Sequence, residues 1–346
     1  MSRGVLLVCL LAATMVAREP QTAANALSFN PAQVFEPGHQ ARLRKGEAVV
    51  VLPDLPRPDI AMVTAVRTDL TAERLVAWSR QAHLMYTSAL APMGGRISNP
   101  PRIEDFKTLT LSSGDLHAMR DCEPGDCRIK LSGAEMQQLR RAIDSAGKNW
   151  RTAALEAYKE VLVGRAAAYL AHGQAGLPPN EDHRRPVTPG AEFAKLLANP
   201  ERATAAPLGL DEYVRQFPVH RDGVESMLFW WKSAASGARE VVTMTHIAVV
   251  RLPGSNDVVV AEALVYANHY IDASIAYFVL TGTPPDRHLA YFRRTRVDAL
   301  RGAFGPIVGL ILERRVRGEA PTIMSDLRKK LENGPPPAAL VSSTSR

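Results

Sequence analysis

The chain lacks the signatures of familiar catalysis. It has no nucleophile elbow, no P-loop, no dinucleotide-binding glycine pattern and no His-Glu-x-x-His helix. Those absences remove the common nucleotide-dependent and zinc-peptidase mechanisms, though not catalysis in general. Cysteine is almost missing, with three in 346 residues, so a cystine-scaffolded fold is excluded. Past the N-terminus there is no uncharged apolar stretch of about 18 residues, the length that would read as a transmembrane helix. The best attempt, residues 258–280, contains Glu262, His269 and Asp272 and reads as sheet. Aromatics are few, and the formal charge of +7 is spread along the chain rather than gathered in one basic block. Nucleic acid is therefore not an expected partner, while weak association with an anionic envelope surface is compatible with the charge.

What is present begins with export. Arg3 precedes the apolar run from Val5 to Ala13, which Arg18, Glu19 and Pro20 end. Ala24-Asn25-Ala26 then supplies small residues at −3 and −1 of a signal peptidase site, so residues 1–26 read as a Sec-type signal peptide cleaved near Ala26. A cut after Ala17 would put bulky Met15 at −3, and an uncleaved anchor is the competing reading. The apolar run falls well short of the roughly 20 residues that span a bilayer. Cys9 leaves with the signal, and it follows Val8 rather than the small residue a lipoprotein needs. A secreted or periplasmic location is expected. Cys122 and Cys127 remain, flanking Glu123-Pro124-Gly125-Asp126. The Pro-Gly turn brings the sulfurs together, and an oxidising compartment makes them a disulfide. No further ligand follows at zinc-like spacing, and redox pairs are more often Cys-x-x-Cys. No metal or cofactor is implied.

Along residues 27–334 the pattern is that of one α+β domain. Strands are expected at 47–52 and 60–67, then a helix capped by Thr71 with Leu75, Trp78 and Ala82 on one face. A helical insertion occupies about 86–239. Within it Ser132 and Glu135 form a capping box, residues 149–172 make a long helix stopped by Gly173, and Thr188-Pro189 opens a short one. Residues 176–189 read as a flexible polar loop. From residue 240 the period becomes two: strands over 241–251, from 257 onward and over 287–296. Antiparallel strands joined by turns argue against a parallel doubly wound sheet. Helices follow at 297–315, with Leu300, Phe304, Val308 and Ile311 on the core face, and at 323–332. Residues 335–346 read as a disordered tail.

This order resembles the START-like helix-grip superfamily over residues 47–85 and 240–333. The resemblance implies an antiparallel sheet wrapped around a long C-terminal helix, with an apolar cavity between them. A second resemblance rests on Asn99-Pro100-Pro101-Arg102-Ile103-Glu104-Asp105, the turn from Asp121 to Cys127, and Thr245-His246. It continues through Ala267-Asn268-His269-Tyr270-Ile271-Asp272-Ala273-Ser274 and from Arg294 to Gly302. These segments look like a family of uncharacterised secreted bacterial proteins, where a Ser commonly precedes the His that here follows Asn268. That family passes on no mechanism.

Three constellations can carry chemistry. Alternation puts His246 on one strand face with Met244 and Ala248, and His269 with the small-residue face of Ala261, Ala263 and Ala267. With Tyr270 and Asp272 they are candidates to hold a polar head group at the end of an apolar cavity. The alternatives are structural histidines bonded within the fold, or metal ligands. Arg294 and Arg296 suit either an anionic ligand or an ion pair near Asp298 at a helix start. Trp230, in Phe229-Trp230-Trp231-Lys232, either fills the core or walls a pocket. The leading expectation is non-catalytic binding of a hydrophobic or amphipathic small molecule between sheet and terminal helix. The alternatives are a START-like hydrolase, cyclase or isomerase using His246, His269 and Asp272, and a pocketless structural protein of the envelope.

Overall fold

A computed structural model describes residues 34–86, 93–198, 210–233, 239–252 and 254–334. The expected signal segment and the tail from residue 335 lie outside the described residues.

Runs of β-branched and aromatic residues build the sheet, and its central strands are buried on both faces. Its strands are β1 (Val49–Val51), β2 (Asp59–Arg67), β3 (Met93–Ile97), β4 (Val224–Ser233), β5 (Val241–Arg251), β6 (Val258–Ala267), β7 (Ile271–Thr281) and β8 (His288–Val297). They pair antiparallel in the order β1-β2-β8-β7-β6-β5-β4-β3. Helices α1 (Pro37–Arg44), α2 (Ala72–Ser79) and α3 (Ala82–Tyr86) flank the first strands. Then α4 (Ser113–Arg120), α5 (Gly133–Ala146), α6 (Trp150–His172), α7 (Pro189–Leu197) and α8 (Leu210–Gln216) separate β3 from β4. The chain closes with α9 (Gly305–Asn333). This is the expected α+β helix-grip architecture with a helical insertion. The predicted caps are in place: Thr71 accepts from the Arg74 amide, and Ser132 and Glu135 bond reciprocally.

The two faces of the sheet are covered differently. One packs Phe278, Tyr291 and Leu289 against Trp78 of α2 and against Met324 and Leu331 of α9. Burying Met324 and Leu331 stabilises the docking by about 2 kcal/mol each. Arg74 donates to the Leu331 and Gly334 carbonyls, and Glu332 accepts from Thr68 and the Asp69 amide. The other face packs Ala261, Ala263 and Phe292 against Phe193 of α7 and Tyr213 of α8.

Three expectations need correction. Strands β3 and β4 lie inside the stretch predicted as a helical insertion, so the helices run from residue 98 to 223. β3 was hidden because Gly94 and Gly95 carry no strand signal. They are there for space, since a Cβ on Gly94 would come within 2.7 Å of the Trp230 carbonyl oxygen. Next, the two C-terminal helices are one, running through Pro321, and residues 298–300 form a separate turn. Its predicted core face holds only in part: Leu300 is buried in that turn and Val308 is half-buried, but Phe304 and Ile311 are exposed, while Gly305 and Gly309 face the body of the protein. Gly309 sits against the Arg57 guanidinium, and this close approach sends the large side chains to the far side.

Last, the predicted flexible loop is pinned. Asn180 and Val187 exchange backbone hydrogen bonds, and the Glu181 amide bonds the Leu131 carbonyl. Cys122 and Cys127 form the expected disulfide, whose turn offers the Gly125 and Cys127 amides to the Glu181 and Asp182 carbonyls. No helix among the described residues is long and apolar enough to cross a membrane.

Candidate functional site

β3 stops at the pairing of Ile97 with Leu228, while β4 begins four residues earlier at Val224. Beyond that point a groove of about 580 Å³ opens, walled by Leu228, Tyr213 and Phe217 and rimmed by Arg96, Asn99 and Ser226. Small-molecule sites are typically of this size, and here polar residues, Ser98, Asp105 and His220 among them, share the lining with the apolar ones.

Gly173 shapes one wall. It ends α6 with φ at +61°, and a Cβ there would lie 1.9 Å from the Phe217 carbonyl oxygen. Only glycine therefore lets this chain segment close on α6. Phe217 then stacks on Tyr169 at 5.0 Å between ring centroids and meets the His246 ring at 4.3 Å.

His246 sits behind the groove. Strand alternation places it on the insertion-covered face, 1% exposed, with its Nε2 2.6 Å from the Ser226 hydroxyl and its Nδ1 2.8 Å from the Tyr169 hydroxyl. Burial pushes its pKa down to about 3, so the ring is neutral. A neutral imidazole has one donor and one acceptor nitrogen, and two hydroxyls satisfy both. Ser226 itself is exposed in the groove. The arrangement fixes a serine hydroxyl at the wall of an apolar hollow. It lacks the carboxylate that would stabilise an imidazolium during proton transfer.

The opposite face holds a second buried ionisable group. Glu262 accepts from the Tyr86 hydroxyl and, at 3.4 Å, from the Tyr291 hydroxyl. Burial raises its carboxyl pKa to about 7, against the pull of Arg293 and the Tyr291 hydrogen bond. Below it the space between sheet and α9 is filled by Phe278, Tyr291 and Met324.

The other candidates do not converge on His246. His269 points its Nε2 at Asp115 of α4, 3.1 Å away, with both side chains buried. Tyr270 turns the β6–β7 connection at φ +62°, its hydroxyl accepting from the Arg239 amide. Asp272 joins an ion network with Lys130 at 2.8 Å and Arg301 at 2.8 Å. Arg301 and Arg296 both reach Glu192, and Arg296 and Arg294 both reach Asp59. Burial would push the Lys130 ammonium down, but Asp272, Asp298 and Asp182 outweigh it and hold its pKa high. Burial likewise opposes ionisation of Glu192, yet Lys195 and Arg301 bring it down to about 2. Such pairing ties Arg294, Arg296 and Asp272 to partners within the fold. Trp230 is 0% exposed, its ring in the core and its Nε1 donating to the Asp105 carbonyl at 2.8 Å. His246, His269 and Asp272 thus have separate partners and form no acid–base pair with one another. Among the described residues no group of three or more His, Cys, Asp or Glu side chains could hold a metal ion.

Sequence reasoning singled out His246 but not the Ser226, Tyr169 and Phe217 that surround it. Ser226 lies 20 positions from its partner and Tyr169 lies 77 away, so no local spacing links them.

No protein-family profile matches the chain, and no curated protein matches it. Among solved structures it is similar to the crystal structure of the di-domain ARO/CYC StfQ from the steffimycin biosynthetic pathway. That likeness has 16% identity and a TM-score of 0.23, and covers 33% of this chain and 37% of the other. It is too slight to carry an argument about ligand or reaction.

Proposed function

We propose that this is an exported protein that binds a small amphipathic molecule in the groove at the β3–β4 edge, without catalysis. The observation that carries the reading is the groove itself: ligand-sized, walled by Phe217, Tyr213 and Leu228, with the Ser226 hydroxyl held by His246. A reading without chemistry follows from His246, whose buried, neutral ring has hydroxyls on both nitrogens and no carboxylate. Export is supported by the N-terminal sequence pattern and by the Cys122–Cys127 disulfide.

Isothermal titration with laurate tests the binding. The parent protein should bind one molecule saturably, and Ser226→Trp, which fills the groove from an exposed position, should weaken binding at least tenfold, equivalent to about 1.4 kcal/mol. Equal binding by both proteins would place the ligand elsewhere. Absence of binding to laurate and to the neutral analogue dodecanol would remove the reading.

A further inference from the structure

The first half of α9, with its N-cap Phe304, carries its largest apolar side chains away from the protein. Phe304, Ile307, Leu310 and Ile311 are 75%, 59%, 68% and 60% exposed. Positions 304, 307 and 311 recur at helical spacing, and 310 stands beside them, so they form one ridge. The opposite side of the helix, with Gly305, Gly309 and Ala320, is buried. An exposed apolar cluster of this kind marks an interaction surface rather than ordinary surface scatter.

The next turns of the same outward side are basic. Arg314 and Arg317 are exposed and make no ion pair among the described residues. Glu319, the acidic residue that follows, is taken by Arg315 at 2.9 Å. The stripe therefore reads apolar first, then cationic, on a chain whose formal charge is +7.

We propose that this half of α9 is a docking surface for an anionic phospholipid bilayer. The ridge of Phe304, Ile307, Leu310 and Ile311 enters the boundary between head groups and acyl chains. Arg314 and Arg317 meet lipid phosphates on the same side. Apolar burial and attraction to anionic lipid act together in such interfacial helices, and neither alone holds firmly. The helix lies on the membrane and does not cross it, in keeping with its lack of a long apolar run. Charge favours lipid over a second copy of the chain: a copy would bring two more arginines to this stripe, Arg314 and Arg317, against Glu313. The surface is independent of the β3–β4 groove, and either proposal can fail alone.

Co-sedimentation with vesicles tests it. The protein should sediment with phosphatidylcholine vesicles containing one-third phosphatidylglycerol, and at least tenfold less with phosphatidylcholine alone or at high salt. Leu310→Ser/Ile311→Ser and Arg314→Glu/Arg317→Glu should each lower binding at least tenfold. The melting temperature should stay the same, because all four side chains are exposed. Failure of the parent to sediment with anionic vesicles would overturn the proposal. So would undiminished binding by the double serine variant. A dimer in ultracentrifugation that the serine variant dissolves, with no vesicle binding, would assign the ridge to a second copy instead.

Discussion

His246 and Glu262 are near neighbours in the sheet: β5 pairs with β6 so that Ile247 lies opposite Glu262 and His246 opposite Ala263. They nonetheless point to opposite faces. Burial drives both toward their neutral forms, the histidine down to about 3 and the glutamate up to about 7. The coverings differ. On the gripped face Glu262 lies over a space filled by Phe278, Tyr291 and Met324. On the insertion face the edge strand β3 stops short beside β4 and leaves a hollow next to the residues that cover His246. Desolvation alone does not make a site. What separates the two faces is that the partner of His246, Ser226, is exposed at a groove, whereas Tyr86, the partner of Glu262, is half-buried among Trp231 and Phe278.

The faces should respond oppositely to pH, which is the largest way to break the comparison. Unfolded histidine takes a proton near 6.5, whereas folded His246 resists until about 3. Its contribution is therefore present above 6.5 and is lost as pH falls toward 3, by about 5 kcal/mol at the limit. Urea melts between pH 7 and pH 4 should show this loss, and His246→Met should flatten it. An unchanged acid limb in that variant would mean that His246 is not the buried group responsible.

Gly173→Ala comes next. It sets a Cβ against the Phe217 carbonyl at a positive φ and should cost about 4 kcal/mol, read by thermal melting. It should also abolish laurate binding at temperatures where the protein stays folded, because the Phe217 wall moves. Glu262→Gln then probes the gripped face. The folded carboxyl keeps its proton to about 7 and the unfolded one loses it near 4.5, so stability falls as pH rises through that window. The loss is about 3 kcal/mol, and Gln should remove it while leaving laurate binding intact. The smallest effect belongs to the disulfide, which closes a loop of a few residues. Cys122→Ser/Cys127→Ser should cost about 2 kcal/mol. Hydrogen exchange should rise at Gly125 and Cys127 on the insertion side, and not in β8.

The sequence made half of this comparison readable. Strands were expected over 241–251, from 257 onward and over 287–296, which are β5, β6 and β8, while the break that separates β7 from β6 was not read; alternation placed His246 correctly beside Met244 and Ala248. The caps at Thr71 and Ser132 were legible because capping is a local event among residues three apart. β3 was not, because Gly94 and Gly95 earn their place only against Trp230, far along the chain. The outward turn of α9 was equally hidden. Hydrophobic spacing names an apolar face, but Gly309 against Arg57 decides which face approaches the body. The groove needed three separated elements, with Tyr169, Phe217 and Ser226 meeting only around one imidazole. The ion network was half seen: Arg296 was expected to pair with Asp298, whereas Asp59 and Glu192 are its partners.

A crystal structure of the protein with laurate bound tests the central claim most directly, that the hollow in use lies on the insertion face. The carboxylate should lie at Ser226, with the acyl chain against Phe217, Tyr213 and Leu228. An acyl chain lodged instead between Phe278 and Met324, under the terminal helix, would contradict it.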